Sequence, residues 1–127
     1  MAELHVELVA ADRKVWSGKA SLVVARTSTG EIGVMPGHQP LLGVLKSGPV
    51  TIRTTGESGD GTVIAAAHGG FISFADNKLS LLTEIAELSY EIDVERAERA
   101  LDQAKADQDA AAERRAEIRL RAVAAAR

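Results

Sequence analysis

Leu79-Ser80-Leu81-Leu82-Thr83-Glu84-Ile85-Ala86-Glu87-Leu88-Ser89-Tyr90-Glu91-Ile92-Asp93-Val94-Glu95-Arg96-Ala97 holds the change of period that decides the fold. Leu79 to Leu82 closes a series of short apolar segments. From Ile92 the spacing becomes helical, with Val94, Ala97, Leu101 and Ala104 on one face. Asp93 is placed to cap the helix N-terminus, and Glu95 lies in the first turn. Composition breaks at the same place. All eleven glycines, all three prolines and both phenylalanines precede residue 75, and none of these types follows Tyr90. The chain therefore divides into residues 1–88, built from turn-rich strands, and residues 89–127, built from light helix.

Toward the N-terminus, Leu4-His5-Val6-Glu7-Leu8 alternates as a half-buried strand does. Ser17-Gly18 reads as a turn, Ser21 to Arg26 as a strand and Thr29-Gly30 as a second turn. Val50 to Thr54, Thr62 to Ala67, Phe71 to Phe74 and Leu79 to Leu82 continue the series. Gly56 to Gly61 reads as a loop tip, and Asp76-Asn77 as a tight hairpin turn. Short strands at this spacing predict an antiparallel β-sandwich or barrel.

Toward the C-terminus, Asp107-Gln108-Asp109 is the best place to reverse the chain, because these residues favour caps and turns. The fold class predicted is β plus α: an N-terminal antiparallel β-sandwich followed by a two-helix hairpin. Residues 91–113 hold eight acids and three bases, whereas residues 114–127 hold one acid and five arginines. An acidic helix would then face a basic one, with Glu95–Arg99 and Glu117–Arg121 as i,i+4 pairs. Beyond Val94 the large apolar residues are Leu101, Ile118, Leu120 and Val123. So few leave a small margin over the backbone entropy of ordering the tail. The tail is expected to change state, about 25 Å long as a hairpin and about 50 Å as one extended arm.

Composition narrows function. An aromatic content of 3% disfavours stacking on single-stranded nucleic acid, and a net charge of −3 disfavours general phosphate-backbone binding. Without cysteine there is no thiolate chemistry and no disulfide. No apolar run approaches the roughly 18 residues of a membrane span, and Met1-Ala2-Glu3 leads straight into an alternating segment. A soluble, cytosol-side protein is expected.

Gly30-Glu31-Ile32-Gly33-Val34-Met35-Pro36-Gly37-His38-Gln39-Pro40-Leu41-Leu42 is dense in backbone punctuation and reads as an irregular connection. This stretch resembles the signature of the epsilon subunits of bacterial F-type ATP synthases. So do Leu45-Lys46-Ser47-Gly48-Pro49-Val50, Gly69-Gly70-Phe71-Ile72 and Asn77 to Leu82. The opening, Val9 to Arg13 and Trp16-Ser17-Gly18, matches in order and spacing. The resemblance runs from residue 4 to about residue 100. It implies a non-catalytic rotor subunit in the central stalk, peripheral on the cytoplasmic face of the bacterial plasma membrane. It implies contact with the gamma subunit and the membrane c-ring. It also implies regulation of ATP hydrolysis by C-terminal helices that reach the alpha and beta subunits.

The resemblance places Glu31, Gly33 and His38 at the c-ring or gamma contact. The plainer readings are a solvated carboxylate for Glu31 and a loop-stabilising hydrogen bond for His38. His5 and His68 read as structural, since three scattered histidines give no metal-ligand spacing. Ile92-Asp93-Val94-Glu95-Arg96-Ala97 resembles the ATP-binding motif of some relatives, with Glu87 at a further acidic position. There Asp93 would accept from adenine or ribose, Arg96 would meet phosphate, and Ala97 would leave room for the base. Otherwise Asp93 is an N-cap, Arg96 a surface residue and Ala97 a helix spacer. Gln103 stands where an arginine is expected, and Arg119 and Arg121 are candidates to replace it. No cofactor is required, and ATP enters only as a regulatory ligand, without a Walker-type loop. No triad, thiol or nucleophile elbow supports catalysis. A free-standing ATP-sensing protein of the same architecture is the alternative reading.

Overall fold

The computed structural model describes residues 3–55 and 61–126. Seven strands come first: β1 (Leu4–Val9), β2 (Lys14–Thr27), β3 (Gly30–Val34), β4 (Leu41–Leu45), β5 (Gly48–Thr55), β6 (Gly61–Ala75) and β7 (Lys78–Leu88). A short 3-10 turn, Ser89–Glu91, leads to helices α1 (Val94–Ala106) and α2 (Ala110–Ala126). The expected sandwich-plus-hairpin architecture is present, and the helices are parted at residues 107–109 as expected.

The long strands β2 and β6 build both layers. The first half of β6 pairs with β5, from Gly61↔Thr54 to Ala67↔Gly48, and its second half pairs with β4, from Gly70↔Leu45 to Phe74↔Leu41. β7 follows β6 along almost its whole length, and β1 joins β2 to β7. The β1–β7 pair is parallel, so the sandwich is antiparallel except there. Alternate residues of the strands, including Leu4, Leu8, Ile52, Phe74, Leu79 and Leu81, fill a dry core between the layers.

The change of partner along β6 requires Gly69-Gly70, both at positive φ (74° and 138°). Before it, Ala65 and Ala67 face the core, whereas after it Ile72 and Phe74 do. The pair thus shifts which parity of residue points inward. A Cβ on Gly70 would stand 1.9 Å from the Leu82 carbonyl oxygen, so no other residue fits. Thr62–Ala67 and Phe71–Phe74, expected as separate strands, are therefore one bent strand. Glycine in a strand marks a close backbone approach as readily as an end.

Three further expectations are corrected. Ser17-Gly18 is not a turn; both lie within β2, opposite Glu7 and Val6 of β1. The reversal falls at Ala10–Arg13, closed by the Ala10 N–H donating to the Arg13 carbonyl at 2.8 Å. The Gly30–His38 stretch is not an irregular connection throughout, because Gly30–Val34 forms edge strand β3 against β2. Strand β4 was not foreseen, since Pro36 and Pro40 punctuate the chain just before it. Asp76 and Asn77, both at positive φ (52° and 57°), make the expected hairpin turn. The Gly56–Gly61 tip lies, for residues 56–60, outside the described residues.

The hairpin lies on the outer face of β5 and β6. Ile118 and Ala122 of α2 pack on Ile64 and Ala66 of β6, with Ile92 alongside. Ala97 and Ala104 are the buried positions of α1, with Val94 and Leu101 half-buried on the same face. Among the described residues neither Glu95–Arg99 nor Glu117–Arg121 closes as an ion pair, and no ion pair joins α1 to α2. Solvated charges on a helix surface gain little from closing.

Candidate functional site

The junction between sandwich and hairpin is fixed by a few polar contacts. Asp93 caps α1, its Oδ1 accepting from the Arg96 N–H at 3.1 Å. Glu91 accepts from the Leu88 N–H at 3.0 Å and from both terminal nitrogens of Arg13, at 2.9 and 3.2 Å. Arg13 also donates to the Ala86 carbonyl at 3.4 Å. The hydrogen bond from Arg13, then that from Leu88, hold the Glu91 carboxyl below its ordinary range. This clasp ties the β1–β2 reversal to the start of the tail. Sequence reading missed it, because nothing local links two opposite charges 78 residues apart.

Glu87, Ile92, Asp93, Arg96 and Ala97 all line one pocket of about 290 Å³, joined by Glu91, Ala100 and Arg119. The strand end, the link and α1 thus bring together every residue expected at the nucleotide motif. Arg119 enters from α2, whereas Arg121 lines a different cavity and Gln103 donates to Asp107 at 2.9 Å, farther along α1. Of the two candidates for the absent arginine, Arg119 is the one that lines this pocket. Its Nε donates to Glu87 Oε1, so its charge is already engaged. Arg96 has no side-chain partner among the described residues. A phosphate entering here would meet Arg96, and Ala97 and Ala100 would offer a surface for a flat base. The pocket's three carboxylates oppose a polyanion. Its groups offer charge complementarity rather than a nucleophile with its base.

His68 of β6 sits behind this pocket. It is buried, neither ring nitrogen has a hydrogen-bond partner, and Nε2 lies 3.7 Å from Glu87 Oε1. Burial, then the charge of Arg119, lower its pKa below the ordinary histidine value, against the pull of Glu87. The structural reading of His68 stands, and it also puts a titratable group beneath α2.

Glu31 and Gly33 are exposed on the outer face of β3, which among the described residues pairs only with β2. His38 lies beyond the following turn, half-buried, its Nδ1 2.6 Å from the Gln39 carbonyl and its ring edge-on to Phe74. No hydrogen bond or ion pair joins His38 to Glu31.

A second surface was not anticipated. Val44 of β4, Phe71 of β6 and Leu82 of β7 pair side by side and are 48, 58 and 52% exposed, with Leu42 at 79%. The outer face of β6 and β7 is thus divided, one half under α2 and the other an open apolar row. The sequence carried the signal: Leu41-Leu42 and Val44-Leu45 put apolar residues on both faces of a short strand.

Comparison with known proteins agrees with this architecture. Residues 3–89 match the family model of the ATP synthase delta/epsilon chain β-sandwich domain. An ATP synthase epsilon chain of Streptomyces griseus is 80% identical over 123 residues, covering 97% of each chain. That of Rhodococcus opacus is 46% identical, covering 94% of this chain and 96% of its own. Among solved structures, a chain in the Euglena gracilis mitochondrial ATP synthase assembly of OSCP, F1 and c-ring superposes with a TM-score of 0.71. It is 26% identical and covers 98% of this chain and 79% of that one. The bent β6, the divided outer face and the docked hairpin are therefore features of a chain that belongs to the ATP synthase epsilon-chain family.

Proposed function

We propose that this chain is held to its neighbours through two faces of the sandwich and that the hairpin is its adjustable part. As a member of its family the protein is a non-catalytic subunit of the ATP synthase. The open apolar row Leu42, Val44, Phe71 and Leu82 fits the gamma subunit. That row carries the reading, because an apolar surface of this kind is the expected core of a permanent interface. The exposed edge at Glu31 and Gly33 fits the polar loops of the c-ring. Among the described residues no helix is long and apolar enough to cross a membrane; in this reading the chain attaches through the complex, on its cytoplasmic face. In the test, Phe71→Asp with Leu82→Asp should abolish co-purification with gamma while the isolated chain keeps its melting temperature. Retained co-purification would refute the assignment.

A regulatory ATP site at Glu87, Ile92, Asp93, Arg96 and Ala97 is a second reading, supported by their convergence on one pocket. Calorimetric titration with ATP should show binding that Arg96→Gln abolishes. Absence of heat at millimolar ATP would remove it.

A further inference from the structure

Two neighbouring cavities run along the opposite side of α2 from the Asp93–Arg96 pocket, about 430 and 330 Å³ in volume. They share Ser47, Arg114 and Ile118 and so form one groove between α2 and the β4–β5 link. The sandwich contributes Arg26 and Lys46 to its walls, and α2 contributes Arg114, Arg115 and Arg121. None of these five cations has an ion-pair partner among the described residues. Two acids line the groove, Glu84 and Glu117, and Glu31 stands opposite Arg26 on β3 without pairing to it. A chain of net charge −3 thus gathers an excess of positive charge at one seam.

Two features point to an anion. Exposed cations from both parts line the one groove, and their solvent-screened repulsion would be relieved by an anion between them. Ala110 and Ala111, in the first turn of α2, line the same groove; Asp109 caps this turn by accepting from the Ala112 N–H at 3.1 Å, which leaves the two preceding N–H groups to favour negative charge. Buried His68 stands behind the inner wall, its ring nitrogens sealed from the groove and Nε2 3.7 Å from Glu87 Oε1, so it supplies no donor to a ligand there.

We infer that the groove between α2 and the Lys46-Ser47 link binds a phosphate-bearing small anion that bridges the sandwich to the docked hairpin. Arg26 and Lys46 would hold it from one side, Arg114 and Arg121 from the other, and the Ser47 hydroxyl would donate to a phosphate oxygen. A ligand gripped by both parts binds only when they are together. It therefore favours the docked state by mass action.

The test uses the full chain at low ionic strength, titrated with inorganic phosphate, pyrophosphate and ATP, with amide NMR shifts and calorimetry as readouts. Pyrophosphate should shift the amides of Ser47, Ala111 and Arg114, and slow hydrogen exchange in α2. Lys46→Gln with Arg114→Gln should weaken binding by about tenfold or more, the loss of charge-assisted contacts on both sides. Arg96→Gln should leave pyrophosphate binding unchanged, which separates this site from the Asp93–Arg96 pocket. Tighter binding of ATP than pyrophosphate through the same amides would assign the source as a nucleotide phosphate chain. Equal binding would assign the bare phosphate. Shifts spread evenly over all surface arginines, or binding indifferent to Lys46→Gln with Arg114→Gln, would overturn the inference.

Discussion

The sandwich core and the hairpin interface both bury apolar residues, yet they are made of different side chains. Between the sheets, Phe74, Leu4, Leu8, Leu45, Ile52, Ile72, Leu79 and Leu81 are fully buried. Under α2 the seal is Ile118 and Ile64, with alanines between them. A buried leucine or phenylalanine contributes roughly 1.5–3 kcal/mol, and an alanine far less. The first assembly is held with a wide margin and the second with a narrow one. That difference sets a sandwich with a large apolar core beside a hairpin held by a small apolar seal.

The most damaging break should come at the bend of β6. Gly70→Ala would drive a Cβ into the Leu82 carbonyl and should cost about 3–5 kcal/mol, unfolding the sandwich, as chemical denaturation would read. Ile118→Ala should cost about 2–4 kcal/mol of docking alone. Limited proteolysis should then cut α2 while the β-strand circular dichroism stays intact. If both regions fail together in that variant, the two are one cooperative unit and the comparison is wrong.

Acidity should act on the narrow interface and spare the wide one. In the docked state His68 titrates below its ordinary value of 6.5, lowered by burial and by Arg119 and Arg115 of α2, with Glu87 of β7 opposing. Well above pH 6.5 the ring is neutral docked or free, and docking keeps its full strength. As pH falls below that value the freed state takes up the proton first, so docking weakens. Exchange of α2 amides should quicken over that range, and His68→Gln should flatten the response. The smallest effect belongs to the Arg13–Glu91 clasp, which is exposed. Glu91→Gln should loosen the junction only slightly, seen as faster exchange at Leu88. The clasp weakens on its own as pH drops through the lowered Glu91 pKa.

The comparison also explains what could be read beforehand. The end of the strands, the Asp93 cap and the Asp107–Asp109 reversal depend on local periodicity and capping, and a single sequence displays both. Ser17-Gly18 and Gly69-Gly70 misled for one reason: local glycine signals do not say whether a strand ends or bends against a neighbour. The partners of Glu87 were out of reach, since Arg119 arrives from 32 residues away. The five expected pocket residues lie close in sequence, and their convergence was readable. Of the Val44–Phe71–Leu82 row only the two-sided apolar pattern of Leu41 to Leu45 is local; the register that sets Phe71 and Leu82 beside Val44 is not.

The most direct test of the account is native-state hydrogen exchange on the full chain, comparing α2 amides near Ile118 with β6 amides near Ile72. The account predicts that α2 opens at a free energy several kcal/mol below global unfolding, while β6 exchanges only with the whole molecule. Equal opening energies for the two segments would contradict it.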